Sequence, residues 1–503
     1  MSTIPRPGTE VIPRNWQTGL APVYIGMFLW FAFFDQIGDR ALPLGGLGLS
    51  ILGAAVAGPL GYLLLFRAPA NWGFRARRPL KEIATSTFGI RGAALVPGLL
   101  LGVAQILVFA VAVGTAIELT FQGLVQIGFV PGQALRPTQI GGATLKSPLY
   151  LLTALFWAIA SALVSLKFIR WIGYLMQFFP IFPAVMLGGA MLASLGGLRS
   201  FVPSGVDPLS PGLVVSIREG SLQSFLLTFQ WVFAFSSMAG VMGADWGFGS
   251  IEARDVRIGG WLGMGLAPVF VAILALISIA GYQGSKEGAT LLEPGRLSRS
   301  EITELSSSGQ VNTGSVPPGL DAPSYTFRAV LNGGFDRRVG GLMLMTFGLA
   351  SMAPAVYSSF MFGTQFKELG PAVSRLSWTM LGTCAAWLLI VGGWLNRNEV
   401  VFSLLGAAFA PVAGAITADY RRHKGQWTGP RSNANPAGLI AWGLGFAVGL
   451  SPLLGRAFGS PWLAALQPAA LFAFLASYLT YEILALVRLE SAWMSSAEPE
   501  SHG

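Results

Sequence analysis

Four acids lie within or at the borders of long apolar runs: Asp35, Glu118, Asp245 and Glu482. An ionisable side chain near the centre of a bilayer costs about 2.5 to 3.5 kcal/mol even on the lenient insertion scale, so each one needs a partner or a task. Proton relay and cation coordination are the tasks open to a carboxylate there. Asp35 sits in Phe34-Asp35-Gln36-Ile37-Gly38-Asp39-Arg40, where Arg40 can pair with either aspartate. A plain ion pair and a coupling site are both open readings for it. Glu118 and Asp245 fall at the ends of their runs, which suits an interfacial carboxylate. Asp245 can pair with a loop arginine such as Arg254 and serve structure or gating, while Glu482 faces other helices or the interface.

Gln105 is the polar exception in the run from Leu99 to Val113, and a buried amide must find hydrogen-bond partners, either between helices or on a bound solute. The segment Ser236-Ser237-Met238-Ala239-Gly240 carries small residues that suit close helix packing or an interrupted helix whose freed backbone lines a cavity. Gly348, Ser351 and Pro354 fall within one stretch, where proline removes a donor and kinks its helix. His423 and His502 with the lone Cys384, read as a buried inert thiol, cannot assemble a zinc site. There is no G-x-x-x-x-G-K-S/T loop for ATP, so work done by this chain draws on an ion gradient. Paired acids or histidines that would serve an embedded enzyme are missing too.

The elements that must position these residues are membrane helices. The 503 residues are 53% hydrophobic and 11% charged, with mean hydropathy +0.61, against about a quarter charged in soluble domains. Twelve apolar segments, each near the length needed to cross a bilayer, fall at 20–38, 44–66, 93–119, 148–168, 171–196, 222–246, 259–282, 339–363, 376–395, 400–418, 437–454 and 462–487. The expected fold is an all-α polytopic membrane protein of about twelve transmembrane helices. The net charge of +9 is spread over short connectors rather than gathered on one polar face, which argues against nucleic acid.

Placing both termini in the cytoplasm puts 19 Lys and Arg inside and 13 outside, as the positive-inside rule favours. Arg75, Arg77, Arg78 and Lys81, and then Arg421, Arg422 and Lys424, mark that side. Residues 1–19 then form an uncleaved cytoplasmic tail, 20–487 the transmembrane domain, and 488–503 a second cytoplasmic tail. The long polar loop 283–338 lies outside, as a lid or as a linker-like insertion. Trp30-Phe31-Ala32-Phe33 and Trp231-Val232-Phe233-Ala234-Phe235, five segments apart, could mark an inverted repeat.

Several stretches resemble the nucleobase:cation symporter-1 family, of the bacterial cytosine permease type. They are Thr87-Phe88-Gly89-Ile90-Arg91-Gly92 with Pro97-Gly98 and Gln105, Ala239-Gly240-Val241-Met242-Gly243-Ala244-Asp245, Phe402-Ser403-Leu404-Leu405-Gly406 through Pro411 to Asp419-Tyr420, and Asn435-Pro436-Ala437-Gly438. The resemblance implies a five-plus-five inverted repeat of the leucine-transporter type with two C-terminal helices, working by alternating access. It also implies a central site between broken helices 1 and 6 and helices 3 and 8.

Carried over residue by residue, Gln105 matches the family's substrate glutamine, whereas Val108 stands where a stacking aromatic is expected, followed by Phe109. The second aromatic aligns near Ser236, beside Phe235, and the substrate asparagine aligns with Met352. The hydroxyl pair that holds sodium aligns with Ala350 and Ser351. The expected substrate set is therefore Gln105, Phe109, Phe235, Ser236, Ser237, Gly240 and Met352. Ser351 is the expected cation ligand for Na+, and Asp35 offers H+ coupling instead. No cofactor is expected. The expected function is cation-coupled uptake of a small polar solute, a nucleobase or related N-heterocycle, across the plasma (inner) membrane. A transporter-like sensor that has lost transport is the alternative.

Overall fold

In a computed structural model the described residues are 15–135, 137–140, 143–167, 180–203, 217–285, 325–393 and 398–494. The ends of both predicted tails, the centre of the long loop, the predicted start of the fifth span and His502 lie outside them. So does the side chain of Arg40.

Among the described residues, ten helices are long and apolar enough to cross a membrane, and the bent pair Leu20–Phe28 and Phe31–Gly45 makes an eleventh. The others are Leu47–Ala76, Leu80–Gln126, Pro148–Lys167, Ile181–Ser200, Leu222–Val241, Ala253–Gly284, Arg337–Leu369, Glu399–Arg422, Pro436–Ala457 and Ala469–Leu486. The 17-residue apolar helix Arg375–Val391 occupies the ninth predicted position, so every predicted segment has its helix. The protein is an integral membrane protein. One feature departs from an all-α reading: Thr138–Ile140 and Ala143–Leu145 pair as an antiparallel hairpin in the connector after the third span.

Several helices overrun their predicted limits because amphipathic ends continue beyond the apolar stretch. The third begins at Leu80 rather than near residue 93, and is interrupted at Gly89 (φ 74°) and at the extended Val96. Gly89 is required there: its conformation favours glycine, and an added Cβ would meet the amide of Asn435 at 2.8 Å. The centre of the bundle is set by the tenth, sixth and third spans, with 83%, 78% and 72% of their apolar stretches buried, while the fifth is 22% buried and sits outside. Gly240 lets the sixth span press on the second, since a Cβ there would stand 2.6 Å from Cβ of Leu65.

Cys384 is exposed on the surface of the ninth span, not buried. An apolar run need not face protein, because its outer side can face lipid just as well.

Candidate functional site

Two interrupted helices form the site. The first span breaks between Phe28 and Phe31, where Trp30 turns extended (ψ 126°) and the axis bends by 51°. A break in lipid must have its backbone groups satisfied from inside the protein. The indole of Trp231 donates to the carbonyl of Phe33 at 2.8 Å, and the amide of Phe327 donates to the carbonyl of Asp35 at 2.9 Å. The eighth span turns at Ser351, where Pro354 offers no N–H to the Ala350 carbonyl four residues back. The sixth span corrects an expectation: it runs unbroken through Ser236–Gly240 and turns only at Met242. Ser237 bonds back to its own helix, at the Ala234 carbonyl, and across to the Leu405 carbonyl, so that helix keeps its ladder.

Between these helices lies a cavity with eighteen lining residues, among them Trp30, Gln105, Val108, Phe235, Met238, Met242, Ala350, Ala353, Pro354, Tyr357, Ser358 and Leu405. The centre of a water molecule fits over about 90 Å³ of it. One buried water needs about 10 to 15 Å³ by that measure, so the space suits a small organic molecule better than a single water. An aromatic cluster walls one side: Phe235 stands 6.2 Å from Trp30, 4.8 Å from Phe33 and 5.1 Å from Phe402, ring centre to ring centre. Gln105 is 1% exposed, and its amide donates only to the sulfurs of Met238 and Met242, at 3.9 and 3.8 Å. Its Oε1 has no partner among the described residues, nor has Nε1 of Trp30.

Of the predicted substrate residues, the structure brings Gln105 and Phe235 to the cavity. Val108 lines it in place of Phe109, which packs edge-on against Phe362 at 5.6 Å. Residues 108 and 109 are 100° apart on a helix, so one of them faces away. Ser236 turns toward Gly61 of the second span, and Ser237, Gly240 and Met352 are likewise absent from the lining. Ser351 bonds back to the Phe347 carbonyl at 3.1 Å, next to the lining residue Ala350. Trp30, Met242, Tyr357 and Leu405 lie outside the expected site, whereas Met238 falls within the expected Ser236–Gly240 segment. Trp30 was legible only as part of an aromatic motif, and apolar residues within apolar runs give no signal.

Asp35 is not at the cavity. Its carboxylate accepts the Arg328 backbone amide at 2.8 Å and pairs with the Arg328 guanidinium at 3.3 Å. Arg328 also reaches Glu118 at 3.2 Å, and Glu118 reaches Lys146 at 3.5 Å. The partner Asp35 takes comes from the far end of the long loop, whose helix Phe327–Gly333 buries Phe327 among Phe31, Phe34 and Phe347, while the expected partner Arg40 has its side chain outside the described residues. Asp245 bonds to the Leu80 amide at 2.8 Å and so caps the start of the third span, instead of meeting Arg254. Glu482 pairs with Arg422 at 3.1 Å, between the twelfth and tenth spans.

At the opposite end, the carboxylate of Asp419 accepts from Ser86 Oγ and Thr87 Oγ1, both at 2.8 Å, and His423 Nδ1 lies 3.0 Å from its other oxygen. That contact with Asp419 holds the His423 imidazole above its usual pKa, with partial burial opposing it. Arg431 is 3% exposed: it pairs with Glu490 at 2.7 Å, donates to the carbonyls of Ser86 and Ser491, and stacks on Trp493 at 3.8 Å.

No family model and no curated relative matches the chain. Solved structures do. A closed form of Mhp1, a nucleobase-cation-symport-1 family transporter with bromovinylhydantoin bound, is similar with a TM-score of 0.55 at 14% identity, over 97% of this chain and 98% of that one. MhsT in complex with L-phenylalanine gives 0.51 at 17%, over 93% and 98%. A Na+-coupled sialic acid symporter in a substrate-bound outward-open state gives 0.55 at 10%, over 96% and 92%. The fold is therefore the leucine-transporter type that the sequence resemblance implied.

Proposed function

We propose that this protein is a secondary transporter that carries a small solute across the membrane by alternating access, coupled to a cation. One observation carries the reading: a cavity lined by residues with unpartnered buried polar atoms lies beside two interrupted spans, in a bundle whose two ends are held by different sets of contacts. A pocket placed there has no evident use unless it opens to each side in turn. The neighbours support it, since two are described as symport or symporter proteins and a third holds an amino acid. A nucleobase or related N-heterocycle is the solute class that the sequence resemblance favours.

Na+ suits the coupling role better than H+. Pro354 leaves the Ala350 carbonyl without its helical donor, and the Ser351 hydroxyl, which donates to Phe347, keeps lone pairs free beside it. Hard oxygen donors of this kind suit a small cation. Asp35, tied to Arg328 at both oxygens, works as a clasp on the loop instead of a proton carrier. Arg77, Arg78, Arg421, Arg422 and Lys424 border one end, which we assign to the cytoplasm by the positive-inside rule.

The test is uptake into proteoliposomes of labelled nucleobases, hydantoins, aromatic amides and amino acids, under a Na+ gradient, a pH gradient or neither. Accumulation of one compound that collapses without Na+ is expected. Accumulation of none under either gradient would rule out transport by this chain.

A further inference from the structure

We infer, resting on the transport reading above, that the cavity takes an uncharged, mainly apolar ring compound carrying one hydrogen-bond donor and one acceptor, as in an aromatic lactam or amide, and discriminates against charged and highly polar solutes. Fourteen of its eighteen described lining residues have no side-chain nitrogen or oxygen, and none of the eighteen is ionisable near neutrality in the sense of an acid, histidine or base. A carboxylate or ammonium brought in would lose its hydration with no countercharge among them.

Two buried polar groups without partners wait there, and the hydroxyls of Tyr357 and Ser358 share the lining. The Gln105 carbonyl oxygen is buried and unpartnered, and its amide nitrogen is held only by thioether sulfurs, which accept weakly. Turning the amide over would leave its oxygen facing sulfur and gain nothing, so the oxygen is the end left for a donor. Trp30 supplies a bare N–H for an acceptor. Other buried indoles lack partners too, but among the described residues Trp30 is the one that lines the cavity. Leaving either group unmet is unfavourable, and a ligand with the matching pair recovers that loss.

The apolar part of the lining includes Val108, Phe235, Pro354 and Leu405, which suit a ring face. A nucleobase brings several donors and acceptors, and beyond Trp30, Gln105, Tyr357 and Ser358 this lining has no side-chain nitrogen or oxygen to meet them. The pocket therefore parts from the polar solute that the sequence suggested.

The experiment uses the purified full chain in detergent, titrated calorimetrically with 2-quinolinone and benzamide, and with benzoate, L-phenylalanine and uracil, in Na+ buffer. The lactam and the amide are expected to bind at least tenfold tighter than the other three. Gln105→Leu and Trp30→Phe should each weaken 2-quinolinone about tenfold with the melting temperature kept, and Ala353→Leu, which fills the cavity, should abolish binding even if one of the others unfolds. Equal or tighter binding of benzoate, L-phenylalanine or uracil, or affinity for 2-quinolinone untouched in all three variants, or no lactam or amide binding at all, would overturn the inference. Uptake of the same compounds into proteoliposomes separates the two claims. Lactam binding without accumulation sinks transport and keeps the ligand class, whereas accumulation of uracil or L-phenylalanine does the reverse.

Discussion

The two ends of the bundle are sealed in different ways. At the Arg328 end the seal is a seven-residue helix, Phe327–Gly333, brought in by the long loop and held by the carboxylates of Asp35 and Glu118, a few backbone contacts and an aromatic socket for Phe327. At the basic end the seal is woven into the backbone. Arg431 N donates to Thr85 O, Ile90 N to Arg431 O, Arg91 N to Asn433 O and Asn435 N to Phe88 O, all within 3.1 Å, and the chain near Trp493 bridges back to Arg431. A plug whose main anchors are one ion-pair system and one ring can leave as a unit. A weave of main-chain bonds around Gly89 opens only with local unfolding. Under the transport reading proposed above, the first seal is the one that would cycle, while the second holds the start of the third span in place.

Asp35→Ala should give the largest effect. It leaves the Arg328 guanidinium with Glu118 alone, and breaking a buried pair costs about 3 to 5 kcal/mol. The loop helix should lose its protection from hydrogen exchange while residues 85–91 keep theirs. Uniform loss at both ends would break the comparison. Next, Arg431→Met removes several charge-assisted bonds of about 1.5 to 3 kcal/mol each at full strength, partly replaced by water. Proteolysis should then reach residues 488–494, with the Phe327 helix unaffected.

Thr87→Val should cost about 1.5 kcal/mol, the worth of one hydrogen bond to a buried carboxylate, seen as a lower thermal midpoint. The smallest effect is a pH dependence. Because His423 titrates higher folded than unfolded, its bond to Asp419 adds stability that is full below about pH 6.5 and fades as pH rises through the raised value. His423→Gln should therefore lower the midpoint more at pH 5.5 than at pH 8.5. An equal drop at both would remove the titrating role of His423.

Much of the architecture was legible because bilayer thickness imposes a length on every apolar segment, and the twelve segments met that length. The site was legible at Gln105 from its residue type and at Phe235 from the family resemblance. Gln105 announced itself as an amide in an apolar run, and the Ser351–Pro354 stretch announced a kink. Phe109 was chosen over Val108 by residue type, yet helical phase gave the cavity to Val108. The break at Trp30 carries neither proline nor glycine, so no local signal predicts it.

Composition and spacing alone determined that the chain lives in lipid, that few ionisable groups enter it, and that loops on one side are basic, because hydration free energy is a property of each residue wherever it folds. Which groups meet was decided by tertiary structure. Asp35 found Arg328 nearly three hundred residues away, and Asp419 found Ser86 and Thr87, because a buried charge takes whichever partner the packed helices bring within reach. The emptiness of Gln105 is of the same kind: only the finished packing shows that its nearest neighbours are sulfur atoms.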